Sequence, residues 1–233
     1  MNNCKAVILA GGRGSRLYPV TYGIPKPLLP VGKKPIINYL IELFRSQGIR
    51  DIAVLINKDF KEDFKWWLKR YYPGEKRIKI FQEKEPLGTL GGFHLFKRWL
   101  SGKYFFLSNG DELKKLNLSE MMDFHKKRGG VATVGLFEVP DPSPYGVAVL
   151  EKGKIKEFLE KPENPPSNCI SAGLYLFSPE VFDYYLGPKF SMIETDILPK
   201  LAKENKLGGF KFRGNWMDCG TFERYGRANL EWK

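Results

Sequence analysis

Lys5-Ala-Val-Ile-Leu-Ala10 runs without a break into Gly11-Gly-Arg-Gly-Ser-Arg16, with Thr21 and Pro25-Lys-Pro27 close behind. An apolar run that stops in glycines reads as a buried strand presenting bare backbone N–H groups at one point in space. Arg16 and Lys26 bring two cations toward that point, and such a place suits a polyphosphate. Two commoner phosphate loops fail on spacing. No lysine follows the glycines where a Walker loop needs one, and Leu17 stands where the dinucleotide fingerprint needs its last glycine.

Outward from this strand, helical and strand periodicities alternate, which predicts an α/β fold around a mostly parallel sheet. After the strand at 4–10, Pro35 opens a helix with Ile36, Tyr39, Leu40, Leu43 and Phe44 on one face, and Gly48 stops it. Strands are expected at 51–56, 78–82, 104–108, 131–139, 171–177 and 206–213, and helices at 60–71, 91–100, 119–128 and 222–233. Residues 146–159 read as a hairpin turning at Lys152-Gly153. The proline-rich stretches 140–144 and 162–166 read as loops rimming a site. No repeat or long polar linker interrupts the chain. One domain over 1–233 is expected, in two halves of about 1–115 and about 116–233.

Composition narrows the class of function. The 233 residues carry 42% hydrophobic and 27% charged side chains, ordinary for a globular protein. No run of about eighteen apolar residues occurs, and Met1-Asn-Asn-Cys-Lys5 has no signal-peptide pattern, so a cytoplasmic protein without a membrane span is expected. The net charge of +12 raises nucleic-acid binding. Its basic residues are nevertheless dispersed among acids, as in 58–65, and no nucleic-acid motif accompanies them; a surface attractive to phosphate-rich small molecules fits better. Cys4, Cys169 and Cys219 form no paired motif and read as reduced, packed thiols. The aromatic residues of 60–71 read as core packing, and His94 and His125 as structural or exposed.

A second chemical signal is Asp111 in Asn109-Gly110-Asp111, directly after an apolar strand and therefore at the carboxyl edge of the sheet, where open α/β folds bind ligands. A hard carboxylate oxygen there suits Mg²⁺ bridging phosphates. Together with Leu9-Ala-Gly-Gly-Arg-Gly-Ser-Arg-Leu17, Asn215-Trp-Met-Asp-Cys-Gly-Thr221 and Glu160-Lys161-Pro162, this order of motifs resembles the sugar-1-phosphate nucleotidylyltransferases over essentially the whole chain.

The resemblance implies a three-layer α/β/α sandwich with a Rossmann-like sheet and a small β-hairpin part that binds sugar, with about 1–115 as the nucleotide-binding half and about 116–233 as the sugar-binding half. It implies a nucleotide site at Leu9, Ala10, Gly11, Gly12, Arg13, Gly14, Ser15 and Arg16, with Asn109 and the base loop Glu83–Gly92, including Glu83, Glu85, Gly88 and Thr89. It implies Mg²⁺ on Asp111 and Asp218, and Arg16, Lys26, Asp111 and Lys161 as catalytic residues. Sugar contacts fall on Tyr145, Gly146, Glu160, Lys161 and Ser171; many relatives have asparagine where Ser171 stands, which leaves the sugar open.

The reaction so implied joins a sugar 1-phosphate to a nucleoside triphosphate and releases pyrophosphate. A phosphate oxygen is anionic at neutral pH and needs no general base, in keeping with the lack of a catalytic histidine pattern. A carboxylate accepts from the two adjacent N–H groups of guanine together, so Glu83 or Glu85 leans toward GTP, and Glu-Pro-Leu-Gly-Thr resembles mannose- or heptose-type guanylyltransferases. Uridylyl, thymidylyl or cytidylyl transfer to glucose 1-phosphate stays open. So does a catalytically inactive sensing homologue, although the intact charged residues speak against it. The expected partners are the two substrates, with no nucleic acid and no membrane, and a homo-oligomer left open. Ending at Lys233, the sequence also suggests no appended acyltransferase or β-helix.

Overall fold

A computed structural model describes residues 4–100 and 102–232; the expected absence of a leader at Met1–Asn3 and the last residue of the final helix fall outside them. The chain divides into two compact units whose segments interleave. The first comprises residues up to Pro86, Ser108–Lys115 and Gly214 onward; the second comprises Leu87–Leu107 and Leu116–Arg213. The last segment thus packs with the first eighty-six residues, beyond the expected half at about 1–115.

In the first unit, Ile52–Asn57 lies between Cys4–Leu9 and Ile78–Glu83, parallel to both. It is buried along its whole length, as a strand covered on both faces must be. Their last residues, Leu9, Asn57 and Glu83, form one carboxyl edge. The helix Ile36–Ser46 turns Ile36, Ile37, Leu40, Ile41 and Phe44 inward, and Lys61–Tyr71 buries Phe64 and Trp67. Trp67 donates its indole N–H to Asn38 Oδ1 at 2.8 Å, so Phe64 and Trp67 are core as expected, whereas Trp66 and Tyr71 are exposed, contrary to the reading of all these aromatic residues as core packing.

Neither member of a short antiparallel pair was legible beforehand: Glu112–Lys115 against Asn215–Asp218, with Asp218 opposite Glu112. Beneath it Leu17, Leu29, Val31, Ile36, Leu113, Cys219 and Ala228 make a separate apolar cluster. The helix Phe222–Glu231 follows, its first turn capped by the Thr221 side chain.

In the second unit, Ala132–Glu138 pairs antiparallel with Cys169–Phe177 and parallel with Leu207–Lys211. Gly146–Glu151 and Lys154–Glu160 pair antiparallel across Lys152-Gly153, as expected. The mostly parallel expectation therefore suits the first unit, whereas the second is mixed. Antiparallel neighbours can be joined by a tight turn and need no crossover helix. Helix Leu118–Arg128 is capped by Asn117, whose side chain accepts from Ser119 and Glu120 N–H. Helix Leu198–Lys203 was not foreseen. The fold is α/β, and among the described residues no helix is long and apolar enough to cross a membrane.

Candidate functional site

The glycine loop is built around two buried polar residues, Thr21 and Lys26. Thr21 Oγ1 donates to the Gly14 carbonyl at 2.8 Å. Gly14 has φ 65°, and a Cβ there would sit 3.1 Å from Thr21 Cγ2 and 3.2 Å from Lys26 Cβ, so both conformation and space require glycine. Ala10 is buried and donates its N–H to Leu55 O at 2.7 Å, which anchors the end of the strand. Gly12, Arg13, Ser15 and Arg16 are exposed, while Leu17 pins the far side of the loop into the apolar cluster.

The two expected metal aspartates come together through the short antiparallel pair. Cys219 N–H donates to the Asp111 carbonyl at 3.3 Å, and Asp218 lies opposite Glu112. A Cβ on Gly220 would lie 2.8 Å from Asp218 Oδ1 and 3.2 Å from an Arg16 guanidinium nitrogen. Lys26 donates to Asp111 Oδ2. Arg16, Lys26, Asp111 and Asp218 thus gather around Cys219-Gly220. Burial, and next the Asp218 charge, pushes the Cys219 thiol up to about 12, with Asp111 and Glu112 adding and Lys26 opposing. Burial also opposes ionisation of Asp111, but Lys26 holds its carboxyl below the ordinary range.

Two participants, Glu112 and Arg224, carry no signal in the sequence. Glu112 is buried and accepts from Asn109 Nδ2 at 2.9 Å and from the Trp216 indole N–H at 2.7 Å, with Lys114 Nζ 3.2 Å away. Burial raises its carboxyl above the ordinary range against the pull of Lys114, and the Asp111 and Asp218 charges raise it further. Arg224 pairs with Asp218. A Glu beside an Asp, or an Arg on an exposed-looking helix, carries no signal until the strands pair. Asn109, expected on the nucleotide, here spends its amide on Glu112.

Of the two candidate base-reading carboxylates, Glu83 is buried at the strand end, and its Oε2 lies 3.1 Å from where a Cβ on Gly11 would sit. Glu85 is exposed. Farther along that loop, Gly88 opens a short turn, and Thr89 Oγ1 donates to Glu194 Oε2 at 2.8 Å.

In the second unit the candidate sugar residues cluster at the end of the hairpin. Lys161 N–H donates to Tyr145 O at 3.1 Å, which brings Tyr145-Gly146 beside Glu160-Lys161. Gly146 is required by its neighbours: a Cβ would meet the Phe158 ring at 2.5 Å and Glu160 Oε2 at 2.9 Å. Lys161 itself has φ 47°, a left-handed turn that non-glycine residues seldom adopt, and its Nζ lies 3.3 Å from Glu160 Oε1. Ser171 Oγ donates to the Tyr175 hydroxyl at 3.3 Å.

Asp111 and Asp218 fit a magnesium ion in chemistry and number, since Mg²⁺ usually takes one or two carboxylates and completes its shell with water and phosphate oxygens. Both stand beside cations that balance them, Lys26 and Arg224. Among the described residues no group of three or more His, Cys, Asp or Glu forms a self-sufficient metal cage. Cys4, Cys169 and Cys219 are all buried thiols outside any disulfide. His125 is buried between Thr133 Oγ1, at 2.7 Å, and Ser178 Oγ, at 3.0 Å, in a structural role.

Comparisons with known proteins identify the family. The chain is 39% identical to mannose-1-phosphate guanylyltransferase 1 of Arabidopsis thaliana, over 95% of its own length and 62% of that protein's. It is 38% identical to the mannose-1-phosphate guanylyltransferase catalytic subunit beta of Xenopus tropicalis, over 93% and 61%. The chain therefore spans about three fifths of the length of these relatives. Among solved structures, a candidate glucose-1-phosphate thymidylyltransferase from Bacillus anthracis, in complex with sucrose, superposes with a TM-score of 0.89 at 30% identity, covering 97% of this chain and 94% of that one. HddC from Yersinia pseudotuberculosis, complexed with GMP-PN, gives 0.82 at 26%, covering 98% and 99%. The nucleotidyl transferase family model matches residues 5–233, a span that holds the glycine loop, both aspartates and the Glu-Lys-Pro turn alike, and the chain belongs to that family.

Proposed function

We propose that the protein transfers a nucleotidyl group from a nucleoside triphosphate to a sugar 1-phosphate, with GTP and a mannose- or heptose-type sugar preferred. The observation that carries this reading is the gathering of Arg16, Lys26, Asp111 and Asp218 around Cys219-Gly220. Four charged groups of both signs at the edge of a glycine loop suit a triphosphate with its counter-ion, and suit little else. The names of the relatives, mannose-1-phosphate guanylyltransferases, support the base and sugar.

In this reading a sugar-phosphate oxygen attacks the α-phosphorus, and the bond to the β-phosphate breaks to release pyrophosphate. The obstacle is repulsion between anions, so catalysis is neutralisation and alignment. Arg16 holds the leaving β- and γ-phosphates with the backbone N–H groups of 11–15, and Lys26 reaches the phosphates flanking the bond that breaks. Asp111 and Asp218 would hold Mg²⁺, which would supply positive charge to offset that of the phosphates. Lys161 holds the attacking phosphate, Glu160 takes a sugar hydroxyl, and Tyr145, Gly146 and Ser171 line the ring. Glu83, buried beside Gly11, is the better placed of the two carboxylates to read guanine. Helices on both faces of the sheet, in three layers, belong to the same reading, as do a single domain with nucleotide- and sugar-handling halves and a cytoplasmic setting.

The test is direct. The protein is incubated with Mg²⁺, each of four nucleoside triphosphates, and mannose, glucose or heptose 1-phosphate, and products are identified by mass alongside pyrophosphate release. GDP-sugar from mannose or heptose 1-phosphate is the expected result. UDP- or dTDP-glucose would move the assignment to another base and sugar within the family. Binding without any product would make the chain a sensor.

A further inference from the structure

The second unit contains a buried carboxylate that the proposed reaction does not use. Glu194, in the π-turn Ile193–Ile197, is only 9% exposed. A charge so placed is costly unless donors meet it. Two neutral hydroxyls do so: Thr89 donates to Oε2 at 2.8 Å and Tyr175 to Oε1 at 3.0 Å.

The two hydroxyls belong to different working parts. Thr89 sits in the loop expected to read the base, and that loop is stitched to the segment carrying Glu194. Leu90 N–H donates to Ser191 O at 3.0 Å, Ser191 N–H to Leu87 O at 3.0 Å, and Ile193 N–H to Thr89 Oγ1 at 2.8 Å. Tyr175 lies in the strand Cys169–Phe177 and accepts from Ser171, a candidate sugar contact. Glu160, the candidate ligand for a sugar hydroxyl, also feels Glu194: burial and then this charge hold its carboxyl above the ordinary range against the pull of Lys161.

We propose that Glu194 is a positioning residue that fixes the base loop through Thr89 and the sugar-facing strand through Tyr175, so that affinity for both substrates depends on a carboxylate that touches neither. The inference rests on the nucleotidyl-transfer reading above and deepens it.

A carboxylate accepts from both hydroxyls at once, whereas the amide of the same shape has a single acceptor oxygen. Glu194→Gln must therefore weaken one arm. The dissociation constants of GTP with Mg²⁺ and of mannose 1-phosphate, each measured alone by calorimetry on the full chain, and KM and kcat where turnover occurs, provide the readout. Glu194→Gln is expected to weaken at least one ligand about tenfold, the scale of one hydrogen bond to a charged group, with kcat changing less. Thr89→Val should weaken GTP selectively and Tyr175→Phe the sugar phosphate selectively, while Thr89→Ser, which keeps the hydroxyl, should restore GTP binding. These one-armed variants carry the test if Glu194→Gln does not fold. Unchanged affinities in Glu194→Gln, or an undivided loss of both ligands in each one-armed variant, would overturn the proposal while leaving the reaction standing. A wild-type chain that binds neither ligand would overturn both.

Discussion

In the first unit, the candidate site is made of full charges, with Arg16, Lys26, Asp111, Glu112, Asp218 and Arg224 gathered about the Cys219-Gly220 turn and two of them, Lys26 and Glu112, buried. In the second, a hairpin and a strand present hydroxyls, a glycine, and one Glu-Lys pair whose lysine is 60% exposed at its side chain. The difference matches what each would bind. A triphosphate is recognised by charge, which gains strength where water is excluded. A sugar is recognised by directed hydrogen bonds and close packing, and its single phosphate can be met by a flexible lysine in solvent.

The largest effect that could break this comparison is expected at Asp111. Asp111→Asn should abolish magnesium-dependent turnover with an unchanged circular dichroism spectrum, because a neutral amide is a poor magnesium ligand. A folded variant that keeps its turnover would remove the charge-based half of the contrast. Arg16→Ala should cost about 10³-fold in rate, by analogy with other cations that stabilise phosphoryl transfer, and single-turnover kinetics would measure it.

A third expectation sharpens the contrast through stability. Burial, and the nearby Lys126, depress the His125 imidazole to about 4 in the second unit, so it is neutral when folded and readily protonated when unfolded. Its contribution is full above the unfolded value near 6.5, and it is lost as pH falls toward 4, by about 3 kcal/mol in total. Urea unfolding at pH 7 and pH 4.5 should show this loss in the wild type and a smaller one in His125→Gln. The smallest effect is expected on the exposed side: Lys161→Ala should raise the KM for sugar 1-phosphate about tenfold and leave kcat nearly unchanged. An equal fall in kcat would mean that Lys161 acts at the transition state and that the two units are less different than their exposure suggests.

Much of this was readable from residue order. The first strand was plain because an apolar run bounded by glycines marks a strand and the turn that ends it, and the strand occupies Cys4–Leu9 as expected. The hairpin at Lys152-Gly153 was plain for the same local reason. Asp111 could be placed at a strand end from its neighbours alone. The pair Glu112–Lys115 and Asn215–Asp218 could not, since four residues are too short to show a period and their pairing is wholly non-local. Without that pair, Glu112 reads as surface and Arg224 as one more helical cation; the choice between Glu83 and Glu85 has its basis elsewhere, in the burial of Glu83 at its strand end.

By itself, then, the sequence determined which residue types suit phosphate, where the longer strands and helices lie, and which family the motifs resemble, because these depend on near neighbours along the chain. Only the tertiary structure decided which carboxylates share a space, which are buried, and which cation balances each. Burial and pairing between distant segments set the strength of every charge, and neither is a property of a residue alone.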